Sequence, residues 1–168
     1  HVKIMDTRKT LPGLRLLEKY AVSCGGGYNH RIGLYDQMLI KDNHLKVVNN
    51  KWSAVKQAIA KAKRRKIITE IEVKNLKELK EVLILKPDII MLDNMSLTET
   101  RKAVKTRDLI APAVKLEASG DITLENVRKV AKSGVDRISI GVLTHSVAAI
   151  DFSLEIINRT LYGGELNE

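Results

Sequence analysis

The fold is decided by residues 67–93, IITEIEVKNLKELKEVLILKPDIIMLD. A β-branched run at 67–73 is followed by a segment of helical periodicity at 76–85, and then by a second apolar run at 89–92. The second run lacks strict polar alternation, which is typical of a parallel strand covered on both faces. This stretch therefore predicts one strand–helix–strand unit of a parallel sheet.

The same alternation of strands and helices extends along the chain in both directions. The predicted strands are residues 3–5, 38–40, 67–73, 89–92, 113–116 and 137–140. The predicted helices are residues 14–23, 52–63, 76–85, 97–106, 124–132 and 152–160. Such an α/β pattern fits an open doubly wound sheet or a barrel, and both architectures bind ligands at the carboxyl ends of their strands.

Polar groups at the predicted strand ends favour the barrel. These ends carry Asp6, Lys41, Glu72, Asp93, Glu117 and Gly141. An open sheet concentrates its site at one switch point, whereas a barrel draws on many strand ends. A complete barrel usually takes about 250 residues, and this chain has 168. We therefore predict an incomplete, open TIM-like barrel of parallel strands that occupies residues 1–168 as one domain.

The composition predicts a soluble, cytoplasmic protein with no membrane partner. Hydrophobic residues make up 44% of the chain, enough for a full core. No apolar stretch approaches the roughly 18 residues of a membrane span, and the first residues lack the layout of a signal peptide. Cys24 is the single cysteine, which excludes an internal disulfide.

The formal net charge of +9 is compatible with nucleic acid, an acidic membrane surface or anionic metabolites as partners. The densest basic run, residues 61–66, falls where a helix is predicted to end, and cations there complement the helix dipole. Aromatic residues form 4% of the chain, which leaves little for stacking on bases. We expect no nucleic-acid partner, and a non-catalytic basic module that binds nucleic acid or an acidic partner stands as the alternative.

Cations concentrate in the first 44 residues, beside glycines and strand ends. The segments are DTRKT at 6–10, GGG at 25–27, NHR at 29–31 and KDNH at 41–44. Arginine offers a rigid donor fork for carboxylate or phosphate, lysine a mobile charge and histidine a tunable donor. Arg8, Lys9, His30, Arg31 and Lys41 are therefore predicted to surround a small polyanion, the alternative being a solvated basic face.

Two acidic residues end consecutive predicted strands. Glu72 and Asp93 should lie near each other above the same rim of a parallel sheet. Mg²⁺ typically takes one or two protein carboxylates together with phosphate oxygens and water, so this pair is the candidate metal site. The alternative is a barrel acid neutralised by a neighbouring lysine. Glu70 shares the face of Glu72 one pleat deeper, which favours a structural role.

Small residues follow the last two predicted strands. Ser119 and Gly120 end one strand, and Gly141 and His145 follow the other. The last two loops of such barrels often bind phosphate through exposed backbone N–H groups. These four residues are therefore the candidate site for a sugar phosphate.

Several motifs together resemble one known family. DTRKT at 6–10 with PGLR at 12–15, GGG at 25–27 with NHR at 29–31, LIKDNH at 39–44, EASG at 117–120 and SIG at 139–141 are similar to the motifs of quinolinate phosphoribosyltransferases. The resemblance runs from about residue 3 to 155. It implies an incomplete α/β barrel, preceded in that family by an amino-terminal domain that these 168 residues lack.

The resemblance also implies an activity. The family uses Mg²⁺ to transfer phosphoribosyl from phosphoribosyl pyrophosphate to quinolinate, and releases nicotinate mononucleotide, pyrophosphate and CO₂ in NAD biosynthesis. It implies a homodimer or higher homo-oligomer in which the amino-terminal domain of a neighbour completes the site, so this chain alone is expected to be poorly active. A related phosphoribosyltransferase with another pyridine acceptor stands as the second alternative.

By the same resemblance each candidate residue has an expected role. Lys41, Glu72 and Asp93 are expected to be catalytic, and Glu72 and Asp93 to bind the metal. The residues expected to bind substrate are Arg8, Lys9, His30, Arg31, Lys41, Ser119, Gly120, Gly141 and His145. No Ser-His or Cys-His pair is evident in the sequence, and a reaction in which the pyridine nitrogen is the nucleophile requires none.

Overall fold

A computed structural model describes residues 1–49 and 52–156, which form a six-stranded, all-parallel sheet. Its strand order is β1-β6-β5-β4-β3-β2. The strands are β1 Lys3–Met5, β2 Met38–Ile40, β3 Thr69–Val73, β4 Ile89–Asp93, β5 Lys115–Ser119 and β6 Arg137–Ser139. The helices are α1 Arg15–Cys24, α2 Asp42–Val47, α3 Trp52–Arg64, α4 Leu76–Leu85, α5 Leu97–Ile110, α6 Val127–Ala131 and α7 Val142–His145.

The strand order is that of a barrel opened between β1 and β2. Strands β2 to β6 are neighbours in chain order, and β1 pairs with β6, so the two edges are consecutive strands. At the free edge of β1, the Tyr28 N–H donates to the Ile4 carbonyl at 2.8 Å, and the Tyr28 carbonyl accepts from the Asp6 N–H at 3.0 Å. This isolated bridge extends the sheet into the gap without closing it. The predicted incomplete α/β barrel is confirmed.

The two faces of the sheet differ in chemistry. Ile71, Ile90, Leu116 and Ile138 are fully buried on the outer face, in one core with residues of α3, α4 and α5. The register sets Glu117 opposite both Met91 and Arg137, and strand alternation points these side chains to the inner face. The buried charged side chains of the strands therefore lie on the inner face, beside apolar residues such as Met91, and the helices pack on the apolar outer face.

Local signals explain where the central helices begin. The Asn75 side chain accepts from the N–H groups of Lys77 and Glu78 at the start of α4. Ser96 and Glu99 form a reciprocal capping box at the start of α5. Each cap satisfies N–H groups that have no partner inside the helix. None of the described helices is both long and apolar enough to cross a bilayer.

Three sequence expectations need correction. The fifth strand was expected at 113–116, but a turn after Pro112, with Val114 N–H bonded to the Ala111 carbonyl, delays it to Lys115–Ser119. Glu117, which was expected at the end of a strand, therefore lies inside β5 and is fully buried. The helix expected at 152–160 is absent from residues 152–156, whose apolar residues alternate with polar ones, and its remainder lies outside the described residues.

Candidate active site

A cavity of about 350 Å³ opens at the carboxyl ends of the strands. We call it the cationic cavity, after the charged side chains on its wall. It is lined by Thr7, Arg8, Lys9, His30, Arg31, Leu39, Lys41, Glu72, Met91, Asp93, Ser119 and Ser139. Every strand of the barrel, or the residues directly after it, contributes to this wall.

A second cavity of about 450 Å³ adjoins the first, and we call it the glycine cavity. Gly120 and Gly141 lie on its wall together with His145. The two cavities share Thr7, Lys9, Asp93, Ser119 and Ser139. All the substrate and metal residues expected from the sequence therefore line one continuous depression.

Arg8 and Arg31, two cations of the cationic cavity, are close enough to repel each other. Partial burial, followed by the charge of Arg8, lowers the pKa of the Arg31 guanidinium. Arg31 also donates to the Gln37 carbonyl at 3.4 Å, which holds its side chain against the wall. An anion bound between Arg8 and Arg31 would relieve the repulsion, because opposite charges at such distances attract.

Glu72 is partly neutralised by a lysine. Its Oε2 lies 3.3 Å from Nζ of Lys41, and the Glu72 side chain is 9% exposed whereas that of Lys41 is 47% exposed. This pairing is the alternative considered for Glu72 from the sequence. Because a carboxylate has two oxygens, the contact does not by itself remove Glu72 as a ligand.

Glu72 and Asp93 are not level with each other. The register sets Glu72 opposite Met91, and Asp93 opposite Ser119. Asp93 therefore lies one inward-facing step nearer the rim than Glu72, where its Oδ1 accepts from the Asn94 amide at 2.9 Å. The two carboxylates line the same cavity at different depths, and not as level neighbours.

A buried network forms the floor of the cationic cavity. Nε2 of His30 lies 3.1 Å from Glu70 Oε2 and 3.3 Å from Glu117 Oε1. Glu117 Oε2 is in turn 2.8 Å from Nε of Arg137, and Gln37 donates to Glu70 at 2.5 Å. With two acids and two cations, the network can balance its charge without solvent. Glu70 has the structural surroundings that its position on the strand predicted.

These contacts set the protonation of the floor. Burial, followed by the charge of Glu117, raises the pKa of Glu70. Burial alone would lower the pKa of His30, but hydrogen bonds to Glu117 and Glu70 and their charges raise it to about 9. The Arg31 N–H points at His30 Nδ1 from 2.9 Å, which favours a lone pair there. The full imidazolium carries a proton on Nδ1 as well, so forming it breaks the contact with the Arg31 N–H.

The glycine cavity depends on a close approach between two strand ends. Gly120 has φ of +103°, and a Cβ added there would lie 2.0 Å from Oδ1 of Asn94. The Asn94 N–H donates to the Ser119 carbonyl at 2.9 Å, which fixes the two loops together. A residue with a side chain at position 120 would disturb both the backbone and this contact.

Several lining residues were not singled out from the sequence. Among them are Thr7, Leu39, Met91, Asn94 and Ser139. Ser139 is 4% exposed, and its hydroxyl has no hydrogen-bond partner among the described residues. Because Ser139 pairs with Ser119 across β5 and β6, strand alternation could have placed it on the inner face once the register was known.

The carboxylates of the cationic cavity have the chemistry that Mg²⁺ requires. Magnesium prefers oxygen ligands and commonly takes one or two carboxylates, completing its shell with water and substrate phosphates. Glu72 and Asp93 supply two such groups in one cavity. His30, Glu70 and Glu117 also come within 4.8 Å of one another, but Arg137 and Gln37 already occupy these acids.

A larger cavity, of about 580 Å³, lies beside α1. Ile4, Leu14, Val22 and Leu143 are among its lining residues, and of the described residues on its wall Glu18 alone has an ionisable side chain. Judged by volume alone, this groove would be the candidate active site. Chemistry requires convergent polar groups, and these occur in the cationic and glycine cavities.

Comparison with known proteins identifies relatives across nearly the whole chain. Residues 1–155 match the family described as quinolinate phosphoribosyl transferase, C-terminal domain. The chain is 48% identical to the nicotinate-nucleotide pyrophosphorylase [carboxylating] of Mycobacterium leprae (strain TN), covering 92% of this chain and 54% of the relative. It is 46% identical to the probable enzyme of that name from Bacillus subtilis (strain 168), covering 92% and 52%.

The structural comparison agrees. The nicotinate-nucleotide pyrophosphorylase from Francisella tularensis superposes with a TM-score of 0.76 at 45% identity, over 89% of this chain and 51% of that one. The chain thus spans about half the length of the relatives it matches.

Proposed function

Because the chain belongs to the family of the quinolinate phosphoribosyl transferase C-terminal domain, we propose that it carries the site that transfers phosphoribosyl from phosphoribosyl pyrophosphate to quinolinate. The observation that carries the proposal is the continuity of the cationic cavity with the glycine cavity, across shared residues such as Asp93 and Ser119. One side suits a dicarboxylate and the other a sugar phosphate. The relatives' name describes the same chemistry in the direction that adds CO₂.

Quinolinate binds in the cationic cavity. Its two carboxylates lie between Arg8 and Arg31, with Lys9 and Lys41 as further counter-charges. Burial, followed by the charge of Arg8, lowers the pKa of Arg31, and a dianion bound there would relieve the repulsion between the two guanidinium groups. His30 lies at the floor, where its Nε2 faces Glu70 and Glu117 and supports the wall beneath the substrate.

The phosphoribosyl donor spans both cavities. Its 5-phosphate lies in the glycine cavity against Ser119, Gly120, Gly141 and His145, where small residues leave the backbone accessible. The ribose occupies the junction, where Ser139 offers an unpartnered hydroxyl and Asp93 a carboxylate. The pyrophosphate then points toward the cations Lys9 and Lys41.

The protein acts by positioning and by charge. The pyridine nitrogen attacks the anomeric carbon of the ribose, and the bond from that carbon to pyrophosphate breaks with its electron pair leaving on oxygen. Lys9, Arg31 and Lys41 stabilise the negative charge that develops. The quaternised ring then accepts the electron pair released when the adjacent carboxylate leaves as CO₂, and a proton takes its place on the ring.

Glu72 and Asp93 would hold Mg²⁺ in this site. The bound ion would neutralise part of the pyrophosphate charge. The carboxylates also face the ribose end of the donor, and the Lys41 contact keeps Glu72 from repelling the approaching substrate anions. The magnesium requirement, the homodimer and the cytoplasmic location stay predictions.

The test is a product analysis with the full-length protein that carries this chain. Incubation with quinolinate, phosphoribosyl pyrophosphate and Mg²⁺ should yield nicotinate mononucleotide, pyrophosphate and CO₂ in equal amounts. A parallel reaction with nicotinate, which lacks the second carboxylate, should be slow, because half of the cation pairing is lost. Turnover of nicotinate at the rate of quinolinate would favour the alternative of another pyridine acceptor.

A further inference from the structure

The residues expected to bind the acceptor lie on both sides of the barrel opening. Arg8 and Lys9 follow β1, the edge strand on one side, whereas His30 and Arg31 lie in the connection that leads to β2 on the other. Beyond the Tyr28 bridge, no strand pairing among the described residues joins these two segments. Their spacing must therefore be fixed by side chains.

Arg15, in the first turn of α1, contacts both segments. Its Nε donates to Thr10 Oγ1 at 3.1 Å, and one terminal nitrogen donates to the Arg8 carbonyl at 3.2 Å. The other terminal nitrogen donates to the Ile32 carbonyl at 3.2 Å. A planar guanidinium can serve three acceptors in fixed directions, which an ammonium cannot.

Lys19 makes a second connection one helical turn later. Its Nζ lies 2.6 Å from Asp6 Oδ1 and donates to the His30 carbonyl at 3.0 Å. The same Asp6 oxygen accepts from the His30 N–H at 2.7 Å. Lys19 is 2% exposed and Asp6 is fully buried, so water does not compete with these contacts.

Neither Arg15 nor Lys19 lines the cationic cavity. Residues i and i+4 of a helix lie on one face, which explains how α1 presents both side chains to the opening. Elsewhere, buried Thr144 donates to the Lys9 carbonyl at 2.7 Å and so ties the first segment to α7. The first segment is therefore held by α1 and α7, and the second by α1 together with the contacts of His30 to Glu70 and Glu117 and of Arg31 to the Gln37 carbonyl.

We propose that α1 is a clasp across the open edge of the barrel, in which Arg15 and Lys19 are positioning residues that set the distance between the Arg8–Lys9 pair and the His30–Arg31 pair. The inference rests on the proposed function, because that spacing matters most for an acceptor with two carboxylates. Misplacing a binding group by about 1 Å can cost up to roughly a hundredfold in rate.

The primary test is Arg15→Lys in the full-length protein. This variant keeps the charge but cannot reach all three acceptors, so KM for quinolinate should rise about tenfold or more while KM for phosphoribosyl pyrophosphate changes little. Hydrogen exchange of the backbone amides in residues 6–10 and 30–33 should accelerate. The matched control is Arg64→Lys, since Arg64 is exposed on the last turn of α3 at the opposite end of the barrel.

Lys19→Met and Lys19→Arg extend the test. Lys19→Met leaves Asp6 buried without its cation and should raise KM for quinolinate above the value in Arg15→Lys. Lys19→Arg keeps a cation beside Asp6 and should raise this KM less than Lys19→Met does. If Lys19→Met does not fold, Arg15→Lys decides alone.

Two results would overturn the clasp. One is kinetics and exchange in Arg15→Lys equal to those of Arg64→Lys, and the other is an equal loss for both substrates together with a lower melting temperature, as a structural role predicts. Absence of quinolinate turnover in the wild type would remove the proposed function instead, and the exchange comparison would still decide whether α1 joins the two segments.

Discussion

The ammonium nitrogen of Lys41 lies 3.3 Å from Oε2 of Glu72, across the carboxyl ends of β2 and β3. Lys41 is about half exposed, whereas Glu72 is nearly buried, so an anion entering from solvent meets the lysine first. The ion pair therefore leaves Lys41 accessible to an entering anion and partly neutralises the charge of Glu72. Removing either partner should have distinct consequences for the two substrates.

Lys41→Ala should lower the turnover of quinolinate in the full-length protein at least about a hundredfold, because it removes charge stabilisation from the transition state. Arg31→Ala should have a loss of the same order. Steady-state release of CO₂ measures both. Lys46→Ala is the control, since Lys46 is a more exposed lysine nearby on α2 whose partner is Asp42. Wild-type rates in the first two variants would refute the assignment of the cavity.

Glu72→Gln and Asp93→Asn should weaken Mg²⁺-dependent binding of phosphoribosyl pyrophosphate by about tenfold or more, because each removes a charged ligand. Glu72→Gln should leave quinolinate binding unchanged or tighter, since Lys41 loses its competing partner. Equilibrium binding of each substrate provides the comparison, with exposed Glu125→Gln as the control. Equal losses for both substrates would indicate a structural role for these acids.

The protein should lose stability as the pH rises from about 6.5 to about 9, because the folded pKa of His30 lies near 9 and its ordinary value is 6.5. A group whose folded pKa is raised stabilises fully below its unfolded pKa, and that stabilisation is lost as the pH passes the folded pKa. The loss is expected to reach roughly 3 kcal/mol. Urea unfolding at several pH values measures it.

Glu117→Gln is the matched variant for this pH dependence. It removes the strongest of the contacts that raise the His30 pKa, so the free energy of unfolding should fall less steeply with pH between about 6.5 and about 9. The variant should also be less stable at neutral pH, since Arg137 loses its carboxylate partner. If the unfolding free energy of this variant falls with pH as steeply as that of the wild type, the pH dependence belongs to other groups.

Ser139→Ala should raise KM for phosphoribosyl pyrophosphate by up to about tenfold, because in the proposed placement it removes one hydrogen bond to the ribose. The folded protein should keep its stability, since this hydroxyl has no partner among the described residues. Ser133→Ala is the control, because the Ser133 hydroxyl donates to the Val130 carbonyl away from both cavities. Identical substrate affinities in the two variants would exclude Ser139 from the site.

The fold and the position of the site were predictable because buried parallel strands have a recognisable sequence pattern. Runs such as Ile89–Asp93 combine apolar character with an abrupt polar end, and a barrel gathers such ends on one rim. The cations at 8–9, 30–31 and 41 could therefore be assigned to one cavity before the strand pairing was known. The short helices α2 and α7 were missed, because four to six residues carry too little periodicity.

The floor of the site was beyond sequence reasoning. The contact between His30 and Glu117 joins residues far apart in the chain, and it depends on the register of β5 and on the course of the loop after α1. The roles of Arg15 and Lys19 likewise depend on which carbonyls face the barrel opening. Sequence pattern supplies the residue types, and packing decides their partners.

Calorimetric titration of the full-length protein with quinolinate, with and without phosphoribosyl pyrophosphate, tests the central claim most directly. The account predicts saturable binding of one quinolinate per site, abolished in Arg31→Ala and retained in Lys46→Ala. Quinolinate binding that survives Arg31→Ala and Lys41→Ala unchanged, or its absence in a folded wild-type protein, would contradict the claim that these cations form the acceptor site.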